Sequence, residues 1–241
     1  MGTWNVHNGV TFGNFHSWED WGLYLKSRPS VAPPVPKTAF DDLIGADGSL
    51  DLTEALTGDV KYGPRDLHFE FTTIDAREGW FNTFSAVLNA IHGRRLRIVI
   101  DEDPEYYYEG RVTVNEFQSN KYTGTIVVDA VCDPYKYAIT NTADDWLWDP
   151  FNFETGIIRP YASIDVLAAG TSVNVVGSRK KSVPTIKCSV PGMYVTFGSN
   201  TYELAEGNNK IYGIQLGEGV NVLNFYGADG NVEINYRPAS L

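Results

Sequence analysis

The chain has 241 residues, with 30 acidic and 19 basic side chains and a formal net charge of −11. Such a surface repels phosphates, and a protein that grips nucleic acid needs a basic patch to displace counterions, so specific nucleic-acid binding is excluded. Hydrophobic residues make up 43%, with 14 Tyr, 12 Phe and 6 Trp against 2 Met, which suits half-buried strands in one large or two ordinary β domains better than a helix bundle.

Met1–Gly13 shows no basic start followed by an apolar run, so no signal peptide is expected. No stretch approaches the roughly 18 apolar residues of a membrane helix. The chain reads as soluble, made in a cytoplasm and not inserted in a membrane. Trp21–Leu25 alternates like a strand. Pro29, Pro33, Pro34 and Pro36 then crowd one short segment, which predicts a stiff, extended arm with unpaired backbone. Gly45–Thr53 reads as a turn leading into a short strand, and Leu67–Phe71 as a strand with one apolar face.

One helix is predicted over about 76–92. Asp75 serves as N-cap and Glu78 completes a capping box. Trp80, Phe81, Phe84, Val87, Leu88 and Ile91 form one apolar stripe, and Gly93 closes the helix in the left-handed conformation. Strands follow at Leu96–Ile100, Arg111–Phe117 and Thr125–Cys132, with Asp101–Glu105 as a turn and Tyr106–Tyr108 leading out of it. Residues 141–160 fit neither period and read as a packed, irregular connector. Beyond it, Ser163–Leu167, Ser172–Val176, Thr185–Val190, Met193–Phe197, Lys210–Leu216, Val220–Tyr226 and Asn231–Tyr236 are expected strands of a two-sheet antiparallel sandwich. The expected fold is mainly β: an N-terminal β-barrel or sandwich-like domain with one helix at 1–137, a connector at 138–154 and a C-terminal antiparallel β-sandwich at 155–241.

Charge divides unevenly between these parts. Residues 1–137 hold 12 basic and 20 acidic side chains, a net of −8, and residues 138–241 hold 7 and 10, a net of −3. If a channel exists, the first part is its expected lining.

No convergent chemistry emerges. His7, His16, His68 and His92 make no zinc-type pair, and no C-x-x-C occurs. His68 lies on the polar face of its strand, and His92 lies in the last helical turn, where a cation suits the dipole. Asp101–Glu105 lacks the calcium-loop pattern. Asp41 and Asp42 are neighbours on a strand and point to opposite faces, so they cannot share a substrate. Nothing matches a nucleophile elbow or phosphate loop. The chain is therefore read as non-enzymatic, with no catalytic, metal or cofactor-binding residues. Arg94, Arg95 and Arg97, with Lys61 and Arg65, form the one basic concentration of the first half; it suits a partner's acidic face or a solvated edge. Arg179–Lys181 is expected at a loop tip. Cys132 and Cys188 sit in strand-like runs and read as buried free thiols, with a disulfide left open.

Several passages, in this order, resemble the distal tail protein (Dit) family of siphophages. They are Ser27–Thr38, Gly45–Thr53 with Lys61–Arg65, the helix with Gly93–Arg94, Cys132–Tyr137, and Trp148–Thr155. The resemblance implies a virion protein at the distal end of the tail, within the baseplate. Its first domain forms a homo-hexameric ring, and its second is a galectin-like sandwich outside the ring. The implied partners are the tail-tube protein, a tail-associated lysin or tail-tip protein, and receptor-binding proteins, with DNA passing through the ring. A galectin sugar site needs a histidine and a stacking tryptophan. Residues 138–241 contain no histidine, and both their tryptophans, Trp146 and Trp148, lie in the connector; the second domain is expected to be a docking scaffold. A ring needs two different patches per subunit, and the expected ones are the arm, with Pro33, Pro34, Pro36 and Lys37, and the triplet Tyr106, Tyr107 and Tyr108. Rival readings are a carbohydrate-binding module for host-surface attachment and a cell-wall hydrolase.

Overall fold

A computed structural model describes residues 9–45, 47–73, 79–119, 123–144 and 159–241. The expected capping pair Asp75 and Glu78, and Trp146–Thr155 of the expected connector, lie outside them. The chain forms two compact units, Met1–Lys136 with Leu241, and Tyr137–Ser240.

The first unit carries β1 (Val10–Phe12), β2 (Phe15–His16), β3 (Leu23–Leu25), β4 (Ser30–Val31), β5 (Pro36–Lys37), β6 (Phe40–Asp42), β7 (Ser49–Asp51), β8 (Lys61–Tyr62), β9 (Arg65–Thr73), α1 (Trp80–Ile91), β10 (Arg95–Ile100), β11 (Tyr106–Ser119) and β12 (Gly124–Cys132). Its main sheet runs β2-β1-β10-β11-β12-β9-β3, and β4 also pairs with β9. Strict alternation sets the register. Phe69 faces Val128 and Phe71 faces Ile126 across the β9–β12 pair, all four buried. A one-residue slip would turn every such side chain outward. The 14-residue β11 absorbs a bulge between Val114 and Glu116, which bends a strand too long to stay flat. Phe12 packs edge-on against Phe69 and Phe71, and each such fully buried ring contributes roughly 1.5–3 kcal/mol.

The helix is shorter than expected at its start. Gly79 stands at the N-cap and makes no side-chain capping bond. Val87 and Ile91 enter the core, with Phe84 and Leu88 packed beside them. Phe81 departs from the expected stripe: it is 71% exposed and touches Phe117 edge-on at 5.6 Å. Gly93, at φ 72°, turns the chain out of the helix, and its N–H donates to Val112 O at 2.8 Å. His92 stands at the C-cap, and its Nδ1 accepts the Val114 N–H at 3.0 Å.

β13 (Lys136–Ala138) is where the chain passes to the second unit, which carries β14 (Ile164–Val166), β15 (Thr171–Gly177), β16 (Thr185–Cys188), β17 (Met193–Phe197), β18 (Asn200–Leu204), β19 (Gly207–Lys210), β20 (Gly219–Tyr226), β21 (Gly230–Asn235) and β22 (Ala239–Ser240). Two four-stranded antiparallel sheets, β14-β21-β16-β19 and β15-β20-β17-β18, share one apolar core that includes Ile186, Val232 and Ile234 from one and Val195, Leu223 and Phe225 from the other. This is the expected sandwich, with two corrections. Lys210–Leu216 is not a continuous strand; beyond Lys210 it contributes only an isolated bridge from Leu216 to Ser182. Its place is taken by β18 and β19; apolar periodicity could not mark β19, because Gly207–Lys210 contains no apolar side chain at all, whereas β18 carries the alternating pair Tyr202 and Leu204.

The outer edge of β15 is occupied by two phenols. The Tyr161 hydroxyl donates to Asn174 O at 3.1 Å and accepts the Val176 N–H at 2.9 Å, and the Tyr236 hydroxyl donates to Val176 O. Burial pushes the Tyr236 phenol up to about 12, so it stays a donor. Thr142 is buried and binds the Ile234 and Tyr236 carbonyls at 3.0 and 3.2 Å, tying 142 into this unit. Cys132 and Cys188 are both free and buried.

Candidate functional site

The tyrosine triplet is not a surface patch. Tyr107 and Tyr108 are each 5% exposed, and Tyr106 is half-buried. Every ring has a cation over its face: Lys136 Nζ at 4.2 Å from the Tyr106 ring centroid, Arg97 at 4.8 Å from Tyr107 and Arg65 at 5.5 Å from Tyr108. Cations attract the negative face of a π system, more strongly as water is removed. Lys136 also pairs with Asp103 at 2.6 Å, tying the strand exit to the turn before it. Burial pushes the Tyr108 phenol above its ordinary value, against the pull of Lys136 and Arg65. The cost of two adjacent buried rings is met inside the unit, which corrects the expectation that the triplet reaches outward.

The proline-rich arm is likewise paired rather than free. Ser30 and Val31 pair with His68 and Leu67, Ala32 N–H donates to Asp66 O at 3.0 Å, and Pro36–Lys37 pairs with Lys61–Tyr62. Proline lacks a donor, so such pairing is confined to edge positions. Pro34 is buried, while Pro33, Pro36 and Lys37 are exposed.

Between β5 and β8 lies a hairpin whose second half is the expected turn and short strand of Gly45–Thr53, and whose first strand, β6, the sequence did not mark. β6 and β7 form a separate hairpin, Phe40 opposite Asp51 and Asp42 opposite Ser49. With the segment that follows, it makes a lobe from Phe40 to Asp59 whose apolar side chains face water: Phe40, Leu43, Leu50 and Leu52 are exposed, and Ile44 and Leu56 are essentially fully so. The lobe holds Asp41, Asp42, Asp47, Asp51, Glu54 and Asp59 and no basic residue. Its turns are held locally, by Ser49 Oγ donating to Asp42 at 2.5 Å and the Thr53 N–H donating to Asp51 at 2.9 Å. The Thr53 hydrogen bonds lower the Asp51 carboxyl below its usual value. An apolar cluster this exposed marks an interaction surface. The signal available in sequence was the run of carboxylates and leucines without a base or a period.

The basic concentration divides. Arg65 is buried, while Arg94, Arg95, Arg97 and Arg111 are exposed around β10 and β11, with Arg95 directly opposite Arg111. Arg95 pairs with Glu109 at 3.3 Å and Asp133 at 2.8 Å, which raise its guanidinium further, Asp133 first. Arg94 and Arg111 donate to the Asn89 and Gly93 carbonyls.

The histidines of the main sheet have structural partners. His16 Nε2 lies 3.1 Å from Asp101 Oδ2, which also accepts the Gly9 N–H. His68 Nδ1 meets Asp129 Oδ1 at 2.6 Å, and its other nitrogen faces Glu70 at 3.7 Å, a carboxylate where a hydrolytic dyad would need a nucleophile. The hydrogen bond to Asp129 is the main cause holding His68 above its ordinary value. Asp41 and Asp42 belong to the lobe. Among the described residues, no group of three His, Cys, Asp or Glu could hold a metal, and no helix is long and apolar enough to cross a membrane.

No family model matches the chain, and no curated protein matches it in sequence. Among solved structures it is similar to the crystal structure of the Dit protein (gp 19.1) of phage SPP1, with a TM-score of 0.61 and 14% identity over 97% of this chain and 99% of that one. This chain has the fold of a phage distal tail protein. That relative is described as a paradigm of the hub adsorption apparatus in phages that infect Gram-positive bacteria. The likeness takes in nearly the whole chain, and with it the mainly β architecture, α1 and the sandwich.

Proposed function

We propose that this chain is a non-enzymatic structural protein of a long-tailed phage virion. It closes into a homo-hexameric ring at the distal tail and joins the tail tube to the tail tip or tail-associated lysin and to receptor-binding proteins. The observation that carries this reading is the likeness in fold to SPP1 Dit across essentially the full length of both chains. The exposed lobe supports self-assembly, because apolar side chains this accessible are stable only where another surface covers them. Pro33, Pro36 and Lys37 border it in sequence and are the arm residues available for contact. The acidic excess of residues 1–137 suits a wall past which DNA slides without sticking. Negative-stain imaging and mass measurement of the purified chain test the reading: a six-fold ring with a central opening is expected. A chain that stays monomeric and does not join tail-tube protein would sink it.

One observation favours a second reading for the second unit, glycan attachment to the host surface. A row of uncharged polar side chains crosses the β15-β20-β17-β18 sheet, with Ser172 bonded to Asn224 at 2.6 Å and Thr196 to Thr201 at 3.1 Å. Beside it Tyr194 and Tyr226 stack at 5.6 Å. A glycan array discriminates: binding lost on Tyr226→Ala is this reading's signature, and a blank array removes it.

A further inference from the structure

The two sheets of the second unit present different faces to water. Each strand of β14-β21-β16-β19 carries one charged side chain: Asp165, Glu233, Lys187 and Lys210 in that order. In β15-β20-β17-β18 the first three strands carry none, and the edge strand β18 carries Glu203 alone. Depletion of charge marks a surface that sheds water against a partner.

The Tyr226 ring is the platform of this face. Tyr194 stacks on one side of it at 5.6 Å. On the other side lies β15, where Thr171 stands opposite Phe225 and the next position is Gly170. Gly170, at φ 124°, brings no side chain, and a methyl there would have only the Phe225 carbonyl nearby, at 3.9 Å. One ring face of Tyr226 is thereby left open, and the residue is 37% exposed. In the neighbouring row Ser172 donates to the Asn224 side-chain oxygen at 2.6 Å. That bond fixes the amide and leaves its NH2 without a partner among the described residues.

We infer that the slot beside Gly170, bounded by Tyr226, Asn224 and Ser172, seats an uncharged pyranose of a surface glycan and rejects anionic glycans. The inference rests on the glycan reading of this unit and supplies its ligand class. The flat side of a sugar ring presents C–H groups, which pack on the negative face of a phenol. Its hydroxyls can accept from the Asn224 amide and donate to the Ser172 oxygen. A phosphate, sulfate or uronate would lose water here with no cation to receive it, and Glu203, opposite Tyr194, would repel it.

A glycan array probed with the full-length chain tests it. One arm holds uncharged oligosaccharides, the other sialylated, uronate-bearing and phosphorylated ones. Binding is expected in the uncharged arm only. Asn224→Asp keeps the size of the side chain, removes the amide donors and adds a charge. It should weaken binding about tenfold or more, as should Tyr226→Ala. Lys187→Ala, on the other sheet, should leave binding unchanged. All three side chains are exposed, so each variant should melt within a few degrees of the unsubstituted chain. Binding in the anionic arm, uncharged binding that survives Asn224→Asp, or binding lost on Lys187→Ala would overturn this seat while glycan attachment stands. A blank array removes glycan attachment and this inference together.

Discussion

The first unit holds two apolar stretches beside turns, and they differ in what surrounds them. Tyr106–Tyr108 leaves the Asp101–Glu105 turn into a central strand, where Lys136, Arg97 and Arg65 cover its rings. Phe40–Leu56 begins with a two-stranded hairpin outside the main sheet, and its apolar side chains are exposed among the described residues. The difference is topological. A strand paired on both edges can bury successive residues if its neighbours bring cations, whereas a lone hairpin has one layer and nothing to pack against. Aromatic density therefore marks the interior here, and moderately apolar, acidic sequence marks the exposed lobe.

The comparison can be broken most forcefully at Tyr108. Tyr108→Ala should destabilise the first unit by about 3–5 kcal/mol, as for other buried aromatics, read as a lower urea midpoint; an unchanged midpoint would return the triplet to the surface. Gly110, two residues on, comes next. A methyl there would lie 2.4 Å from Cys132 Sγ and 2.5 Å from the Val131 carbonyl, so Gly110→Ala should cost about 1–3 kcal/mol by overpacking. The lobe should behave oppositely. Ile44→Ser with Leu56→Ser should leave the midpoint within about 0.5 kcal/mol, yet sedimentation should show rings dissociating at lower dilution. A loss of folding stability instead would mean that the lobe is covered within its own chain.

The smallest effect lies on the sheet's polar face, at His68. Its pKa is raised in the folded chain, so the folded state holds the proton more tightly than the unfolded state. The stabilisation is full below the ordinary value of 6.5 and is lost as pH rises through the higher folded value. His68→Gln should flatten the pH dependence of the melting temperature in that window. A pH profile identical to the unsubstituted chain's would remove the Asp129 contact as its cause.

Strands were legible where alternation runs long: Leu67–Phe71 and Thr125–Cys132 announce β9 and β12, whereas the three-residue β1 was not marked although Val10 and Phe12 are buried. β19 was not, because that edge strand is held by backbone bonds and by Asn209, which bonds Ala205 and Gly207 with its amide. The helix was read from its stripe, yet Phe81 faces solvent against Phe117, since the contact depends on where β11 bends. The candidate surface was legible only in part. Proline content suggested an arm but hid its pairings with β9 and β8, and the lobe's exposure is a property of layering that no window of residues contains.

The two phenols on β15 bear on how such a chain survives being concentrated. In the ring proposed above, several copies would stand at high effective concentration, where a bare strand edge would invite a neighbour to continue the sheet. Tyr161 and Tyr236 fill the backbone positions that an incoming strand would use. They act as chain terminators for lateral growth, leaving side-chain chemistry rather than backbone stickiness to choose which surfaces meet.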